Sequence, residues 1–160
     1  MPTPQEIKRI QGITDPLIKR RYLKYFQLPQ DIRQLMFAVE TADKINQVAQ
    51  KNKLTEKQIW SVSYITGMIL LGETNIVDFV KSLMKECHLS EEPARQLARD
   101  INSSILLPVK ESLKKIHNVP RWPREEENNQ SSTNQPDNKI VTLEEKKPEI
   151  NNNVVNLREE

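Results

Sequence analysis

The residues that could bind a metal ion or attack a substrate are few and are spread along the chain. Cys87 and His88 are adjacent, and adjacent side chains on a helix point in different directions. His117 is distant, and the sequence contains no Cys-x-x-Cys, His-x-x-x-His or acidic calcium-loop pattern. Three scattered glycines form no phosphate-binding loop. The sequence therefore predicts no metal site and no cofactor, and it favours a protein that is not an enzyme.

A second pattern has the spacing of a DNA-binding helix-turn-helix. Ala49, Leu54, Thr55 and Ile59 supply a small residue, an apolar turn residue, a capping hydroxyl and an apolar residue in the order of that motif. Lys53, however, takes the turn position where glycine is usual, and the helix that follows is too apolar to lie in a groove. Any helical hairpin with a short turn has this spacing, so hairpin packing is the favoured interpretation and DNA binding is the alternative.

Basic side chains concentrate near the N-terminus, where residues 1–30 carry six Lys or Arg against two Asp or Glu. Such a cluster could meet an RNA, an anionic membrane surface or an acidic protein. A solvated helix face is the simpler interpretation, because the basic residues fall opposite Ile18, Tyr22 and Tyr25, which we expect in the core. The candidate anion-binding patch consists of Lys19, Arg20, Arg21 and Lys24.

A short pattern, Asn-x-[Ile/Val]-Val-x-Leu-x-Glu, occurs at residues 138–145 and again at 152–159. An alternating apolar cluster of this kind can add as a strand to the sheet edge of a partner, and two copies on one tether raise avidity. Chance similarity in a segment rich in Asn and Glu is the alternative. Trp122 is a weaker candidate anchor, which could instead fold back onto the domain. The candidate partner-binding residues are Ile140, Val141, Leu143, Val154, Val155, Leu157 and Trp122.

The elements that must position these residues include a helical hairpin whose sequence pattern occurs twice. Residues 41–71 align with residues 76–106, and the matched positions are those that a hairpin buries or uses as caps. The pairs include Val48 with Leu83, Leu54 with Leu89, Thr55 with Ser90, Val62 with Leu97, and Leu70 with Ile105. The match predicts two pseudo-repeated αα-hairpins that close on each other.

Proline and capping signals predict helices that begin near residues 16, 29, 41, 56, 75 and 91, with a break near 37–40. Gly72 is placed to end the helix 56–71, and Pro108 predicts a kink in the last helix. The helix 56–71 is apolar on nearly every side, so we expect it in the middle of the bundle, where Gly67 would let a neighbouring helix approach closely.

Composition divides the chain into three parts: a flexible N-terminus at 1–14, a helical bundle domain at 15–118, and a disordered Asn/Glu-rich tail at 119–160. The first 118 residues carry 18 basic and 13 acidic side chains, whereas the tail carries six and nine. This is not the composition of a dedicated nucleic-acid binder. The longest uncharged run, at 58–72, is too short to cross a bilayer. A single cysteine excludes an internal disulfide, so we expect a cytoplasmic location.

A set of short motifs carries a resemblance to known proteins. They are Glu40-Thr41-Ala42, Leu54-Thr55-Glu56, Thr66-Gly67, Leu71-Gly72, Phe79, Leu89, Asp100-Ile101-Asn102 and Pro108-Val109. On these motifs residues 28–117 resemble a family of small bacterial all-helical proteins with no established activity. The resemblance implies a helical domain and transfers no site residue.

The sequence as a whole predicts an all-α fold, a compact bundle of five to six helices that contains the two hairpins. The favoured function is that of an interaction or adaptor protein without enzymatic activity, whose domain binds one protein partner and whose tail motifs bind another. A nucleic-acid-binding protein that uses the hairpin or the basic first helix is the alternative. A homodimer that shares the apolar helix 56–71 is a third hypothesis.

Overall fold

The computed structural model describes residues 2–123, and all regular structure in that range is helical. The all-α prediction is confirmed. The helices are α1 Pro4–Gln11, α2 Pro16–Gln27, α3 Gln30–Phe37, α4 Val39–Lys51, α5 Glu56–Leu70, α6 Phe79–Cys87, α7 Glu91–Ile101 and α8 Lys110–His117. The described part therefore has more helices than the five to six predicted, because α1 was missed and because the last predicted helix is divided into α7 and α8.

Helix α1 lies inside the segment that was predicted to be a flexible N-terminus. A capping box begins it: the Thr3 backbone N–H donates to Glu6 Oε2 at 2.6 Å, and the Glu6 backbone N–H donates to Thr3 Oγ1 at 3.3 Å. Ile10 is its buried residue. The helix was not predicted because its sequence has almost no apolar side to mark it, although the capping pattern was present.

Both predicted hairpins are present, as α4–α5 and α6–α7. Their turns are equivalent in detail, because Lys53 has φ 54° and His88, the matched residue, has φ 53°. A left-handed conformation costs a residue with a side chain about 1–2 kcal/mol. The turn that glycine usually makes is therefore made twice by other residues, and the repeat is a feature of the backbone as well as of the core pattern.

The core lies between the hairpins and is closed by α3 and α8. It is formed by aliphatic side chains from each of these helices, and full burial of one such side chain contributes about 1.5–3 kcal/mol. The fully buried side chains include Ile32, Val62, Ile69, Leu83, Leu97, Ile101, Ile105 and Leu113.

Polar contacts also join the two hairpins. Asp100 on α7 accepts hydrogen bonds from Lys51 Nζ at 2.7 Å and Asn52 Nδ2 at 2.9 Å, both at the end of α4. Gln58 Nε2 on α5 donates to the backbone carbonyl of Cys87 at 2.9 Å. Each turn is thus held by a polar residue of the other hairpin, which fixes their relative position.

The predicted breaks are present. Helix α3 ends at Phe37 and α4 begins at Val39, two residues before the predicted start. Around Pro108 the helix passes through a π-helical turn, Asn102–Leu106, and a 3-10 turn, Leu107–Val109, before α8 begins. Proline supplies no backbone donor and crowds the preceding turn, which accounts for this irregularity.

Two glycines at the end of α5 have different surroundings. Gly72 has φ +70°, and a Cβ atom there would lie 2.5 Å from Ile116 Cγ2, so both its conformation and the packing of α8 require glycine. At Gly67 a Cβ atom would have nothing within 4 Å. The prediction that Gly67 admits a neighbouring helix of the bundle is therefore wrong.

None of the helices between residues 2 and 123 combines the length and the apolar character that crossing a membrane requires.

Candidate interaction surface

The residues with metal-binding or nucleophilic side chains do not meet. Cys87 is buried, and burial raises the pKa of its thiol. His88 is exposed in the turn that follows, whereas His117 is buried at the end of α8. Among residues 2–123 no group of three or more His, Cys, Asp or Glu side chains could hold a metal ion.

The basic residues of α2 face the end of α5. Lys24 Nζ donates to the Gly72 carbonyl and to Glu73 Oε1, both at 2.9 Å, and Arg20 Nη2 donates to Glu73 Oε2 at 2.7 Å. The hydrogen bond from Lys24, with that from Arg20, lowers the pKa of the Glu73 carboxyl. Half of the candidate anion-binding patch is therefore paired with a carboxylate of the same chain, and the expectation of a purely solvated face needs correction.

The predicted apolar side of α2 is only partly buried. Helix α2 has no buried residue, and Ile18 and Tyr22, which were expected in the core, are exposed. Tyr25 is partly buried and lies edge-on to Phe26 and to Phe37, with ring centroids 5.3 Å and 5.4 Å apart. The helix docks through a side that combines Arg21, Lys24 and Tyr25, so the predicted burial of Ile18 and Tyr22 is wrong.

Helix α5 also exposes aromatic side chains. Trp60 is 75% exposed, and its ring lies parallel to that of Tyr64 with centroids 6.5 Å apart and an interplanar angle of 6°. The prediction that α5 lies in the middle of the bundle on every side is wrong, because the side that carries Trp60 and Tyr64 faces solvent.

Arg21 connects α2 to this aromatic pair. Arg21 Nη2 donates to the Tyr64 hydroxyl at 3.2 Å, and Arg21 Cζ lies 6.0 Å from the centroid of the Tyr64 ring. Lys57 is exposed one turn before Trp60, and Gly67 lies one turn after Tyr64. We call Arg21, Lys57, Trp60, Tyr64 and Gly67 the α5 aromatic surface. It brings together one residue of the predicted basic patch and the second helix of the predicted helix-turn-helix.

The scaffold holds this surface in place. The opposite side of α5 is buried through Val62, Ile65 and Ile69. Because the helix is fixed in the core and the rings are stacked on each other, the surface is largely preorganised, so binding to it would order few side chains.

In a DNA-binding helix-turn-helix, Lys57, Gln58 and Ser61 would be the residues of α5 able to contact bases, but Gln58 is occupied within the fold. Gln58 Oε1 accepts the Thr55 backbone N–H at 2.9 Å, while Gln58 Nε2 donates to the Cys87 carbonyl. Ser61 is partly buried, which leaves Lys57 as the exposed polar candidate on this part of α5. Hairpin packing explains the spacing of the motif without a nucleic acid.

Trp122 folds back onto the domain, which was the alternative to its role as a partner anchor. It is 1% exposed, and its Nε1 donates to Asn102 Oδ1 at 2.8 Å, in the π-helical turn that follows α7. The folded body therefore continues past the predicted boundary at residue 118, as far as Pro123. A partner could reach this indole only if the segment were first displaced.

The remaining tail candidates, Ile140, Val141, Leu143, Val154, Val155 and Leu157, lie outside the described residues.

Comparisons of the chain with protein-family models, with curated proteins and with solved structures gave no match. The resemblance to a family of bacterial helical proteins stays a prediction.

Proposed function

We propose that this protein is an interaction protein without enzymatic activity, whose helical domain binds a protein partner through the α5 aromatic surface. The tail motifs at 138–145 and 152–159 would contact a second partner. The observation that carries the proposal is the exposure of Trp60 in a stack with Tyr64. Burying a large apolar side chain contributes about 1.5–3 kcal/mol to stability. Because Trp60 is exposed, a partner that covered it would gain this contribution on binding.

The chemistry of the surface indicates what kind of partner it fits. Trp, Tyr and Arg are the residue types most enriched among those that dominate binding energy at protein interfaces. Arg21 and Lys57 place positive charge beside the rings, so the partner would carry Asp or Glu next to an apolar side chain. Above Gly67 there is room for that apolar side chain to lie against the helix backbone.

A protein partner explains more of the surface than a nucleic acid does. Glu73 neutralises part of the charge on Arg20 and Lys24, and Gln58 is occupied within the fold. Trp60 and Tyr64 stack on each other, whereas single-strand binding proteins stack successive bases on aromatic rings.

The experiment compares the full-length wild-type protein with the variants Trp60→Ala and Phe37→Ala. Phe37 is 74% exposed and so is a matched control for Trp60. Each protein is immobilised on beads and incubated with nuclease-treated lysate, and the proteins that the wild type retains are identified. Each of these is then purified and titrated against the wild type and both variants. We expect Trp60→Ala to weaken binding by about 30-fold or more, the effect of losing a central interface residue, and Phe37→Ala to leave affinity unchanged.

Other outcomes would replace the proposal. Equal affinity for Trp60→Ala and wild type would remove the α5 aromatic surface from the interface. Material retained only without nuclease, with affinity that falls steeply with salt, would favour the nucleic-acid alternative. Sedimentation that depends on concentration for wild type and not for Trp60→Ala would favour the homodimer.

A further inference from the structure

A groove of about 320 Å³ runs between α6 and α7, away from the α5 aromatic surface. Apolar side chains of both helices line it, among them Val80, Met84 and Ala98. Val77, 61% exposed, lies at its rim, and Trp122 and Pro123 also line it. We call this feature the α6–α7 groove. The chain that follows Pro123 therefore starts at the groove itself.

The rim of the groove is mainly basic. Among the described residues, Lys81, Arg95 and Arg99 contribute to its lining against one acidic residue, Glu91. Glu91 accepts a hydrogen bond from Arg95 Nη2 at 2.6 Å, and Lys81 Nζ lies 4.0 Å from Oδ1 of Asp78. An apolar groove with such a rim favours a segment that combines apolar and acidic side chains.

The chain that follows combines apolar and acidic side chains, because residues 124–147 carry six acidic side chains against four basic ones. Three consecutive acidic residues, 125–127, begin two residues after Pro123, and the first tail motif, 138–145, ends in Glu144 and Glu145. In an extended segment Val141 and Leu143 point to the same side, because side chains alternate along a strand. Nothing in the fold or in the α5 aromatic surface accounts for this motif.

We propose that the α6–α7 groove is the docking site for the first tail motif of the same chain. Val141 and Leu143 would lie on the apolar floor, and the acidic residues at 125–127 and 144–145 would meet the basic rim. The contact would cover the α6–α7 groove and keep the motif from binding a partner until one with higher affinity for the motif competes. The inference develops the tail half of the proposed function and does not depend on the α5 aromatic surface.

The length of the connection permits this contact. Sixteen residues, 124–139, separate Pro123 from Ile140. A flexible chain of this length has an end-to-end distance of roughly 20–25 Å, whereas α6, with nine residues, is about 13 Å long. The tether would present the motif at an effective concentration of ~1 mM. A contact with a dissociation constant of only ~0.1 mM would then be formed about nine-tenths of the time.

The test measures amide hydrogen exchange of residues 138–145 in the full-length protein on the millisecond timescale. We expect exchange there about tenfold slower than the intrinsic rate, since the bound fraction is about nine-tenths. Val77→Asp, which puts a negative charge at the rim, should abolish this protection. Val39→Asp is the matched control at a valine that is 72% exposed on the first hairpin, and it should retain the protection.

The double variant Val141→Asp with Leu143→Asp removes the docked side chains without touching the folded body. It should also lose the protection, which keeps the test decisive if Val77→Asp proves unstable. Exchange at the intrinsic rate in the wild type would overturn the proposal, as would protection that survives Val77→Asp. Protection that rises with protein concentration would overturn docking within one chain. Because Trp60→Ala does not touch the groove, the failure of either proposal is recognisable separately.

Discussion

The two hairpins share a backbone and a core but differ on one outward-facing side. At matched positions Val62 and Leu97 are both fully buried. On the outward side the first hairpin carries Trp60, Tyr64 and Gly67, where the second carries Arg95, Arg99 and Asn102. Asn102 accepts a hydrogen bond from Trp122, whereas Trp60 and Tyr64 stay exposed.

The difference shows which positions the repeat determines. The buried positions must fill the same space in both copies, so their residue types remain similar. The outward positions carry no such requirement, and they have acquired opposite roles. The second hairpin uses its outward side to bind a later part of its own chain, and the first leaves an aromatic pair in solvent, where a separate partner can reach it.

The most direct test of this comparison truncates Trp60, which belongs to the first hairpin, and Trp122, which follows α8 and packs onto the second. Trp122→Ala removes a buried indole and leaves Asn102 without this donor, so we expect the free energy of unfolding to fall by about 3–5 kcal/mol. Trp60→Ala removes an exposed side chain and should change it by less than about 0.5 kcal/mol. Urea denaturation followed by circular dichroism measures both. Equal effects would mean that the two tryptophans do not differ in burial, and the contrast between the hairpins would fail.

The second test uses the two glycines at the end of the first hairpin. Gly72→Ala places a Cβ atom against Ile116 and forces a left-handed alanine, so we expect a loss of about 2–3 kcal/mol. Gly67→Ala adds a methyl group in open space and improves helix propensity, so we expect a gain of about 0.5–1 kcal/mol. Thermal unfolding separates the two. A stabilising Gly72→Ala would contradict the packing of α8 against this turn.

The third test concerns His117, which ends α8 and lies against Ile69 of the first hairpin. Burial lowers the pKa of His117, although a hydrogen bond to the Ile69 carbonyl opposes the shift, and the charge of Lys24 lowers it further. The unfolded chain therefore binds a proton more readily than the folded one. The neutral imidazole makes its full contribution to the free energy of unfolding above the unfolded pKa of about 6.5. This contribution falls as the pH drops toward the folded pKa, by at most about 1.4 kcal/mol per pH unit.

We expect the free energy of unfolding to decrease between pH 7 and pH 5.5 in the wild type, and His117→Gln to flatten that dependence. Glu73 and Asp100 have lowered pKa values, so they release their stabilisation only at more acidic pH and leave this window to His117. Denaturant unfolding at a series of pH values measures the slope. An unchanged slope in His117→Gln would assign the effect to another group.

The features that could be predicted from the sequence are local. They include the capping residues, the break at Ala38 and the irregularity at Pro108. Each depends on a few neighbouring residues, so it can be recognised in the sequence alone. The hairpin repeat was legible because the buried positions recur with a constant spacing.

The features that were missed depend on contacts between distant parts of the chain. Helix α5 is apolar on nearly every side, so its composition did not reveal that Trp60 faces solvent. Helix α2 is linked by Arg20 and Lys24 to Glu73, about fifty residues later, and its own sequence does not show that contact. Trp122 lies among residues of α6 and α7 and donates to Asn102, and these contacts exist only once the two helices are packed together. No local sequence pattern marks them.

The smallest expected effect tests the comparison at the matched caps of the two hairpins. Thr55 and Ser90 occupy equivalent N-cap positions, but only Thr55 makes a side-chain hydrogen bond there, accepting the Gln58 backbone N–H at 3.3 Å. Thr55→Ala should therefore cost about 1 kcal/mol. Ser90→Ala should cost only a few tenths of that, because it breaks no capping hydrogen bond and Glu91 and Glu92 already stabilise the first turn of α7. Urea denaturation of both variants in parallel measures the difference. Equal losses would show that the two caps work in the same way in solution, and the difference between the hairpins would then be confined to the outward sides of α5 and α7.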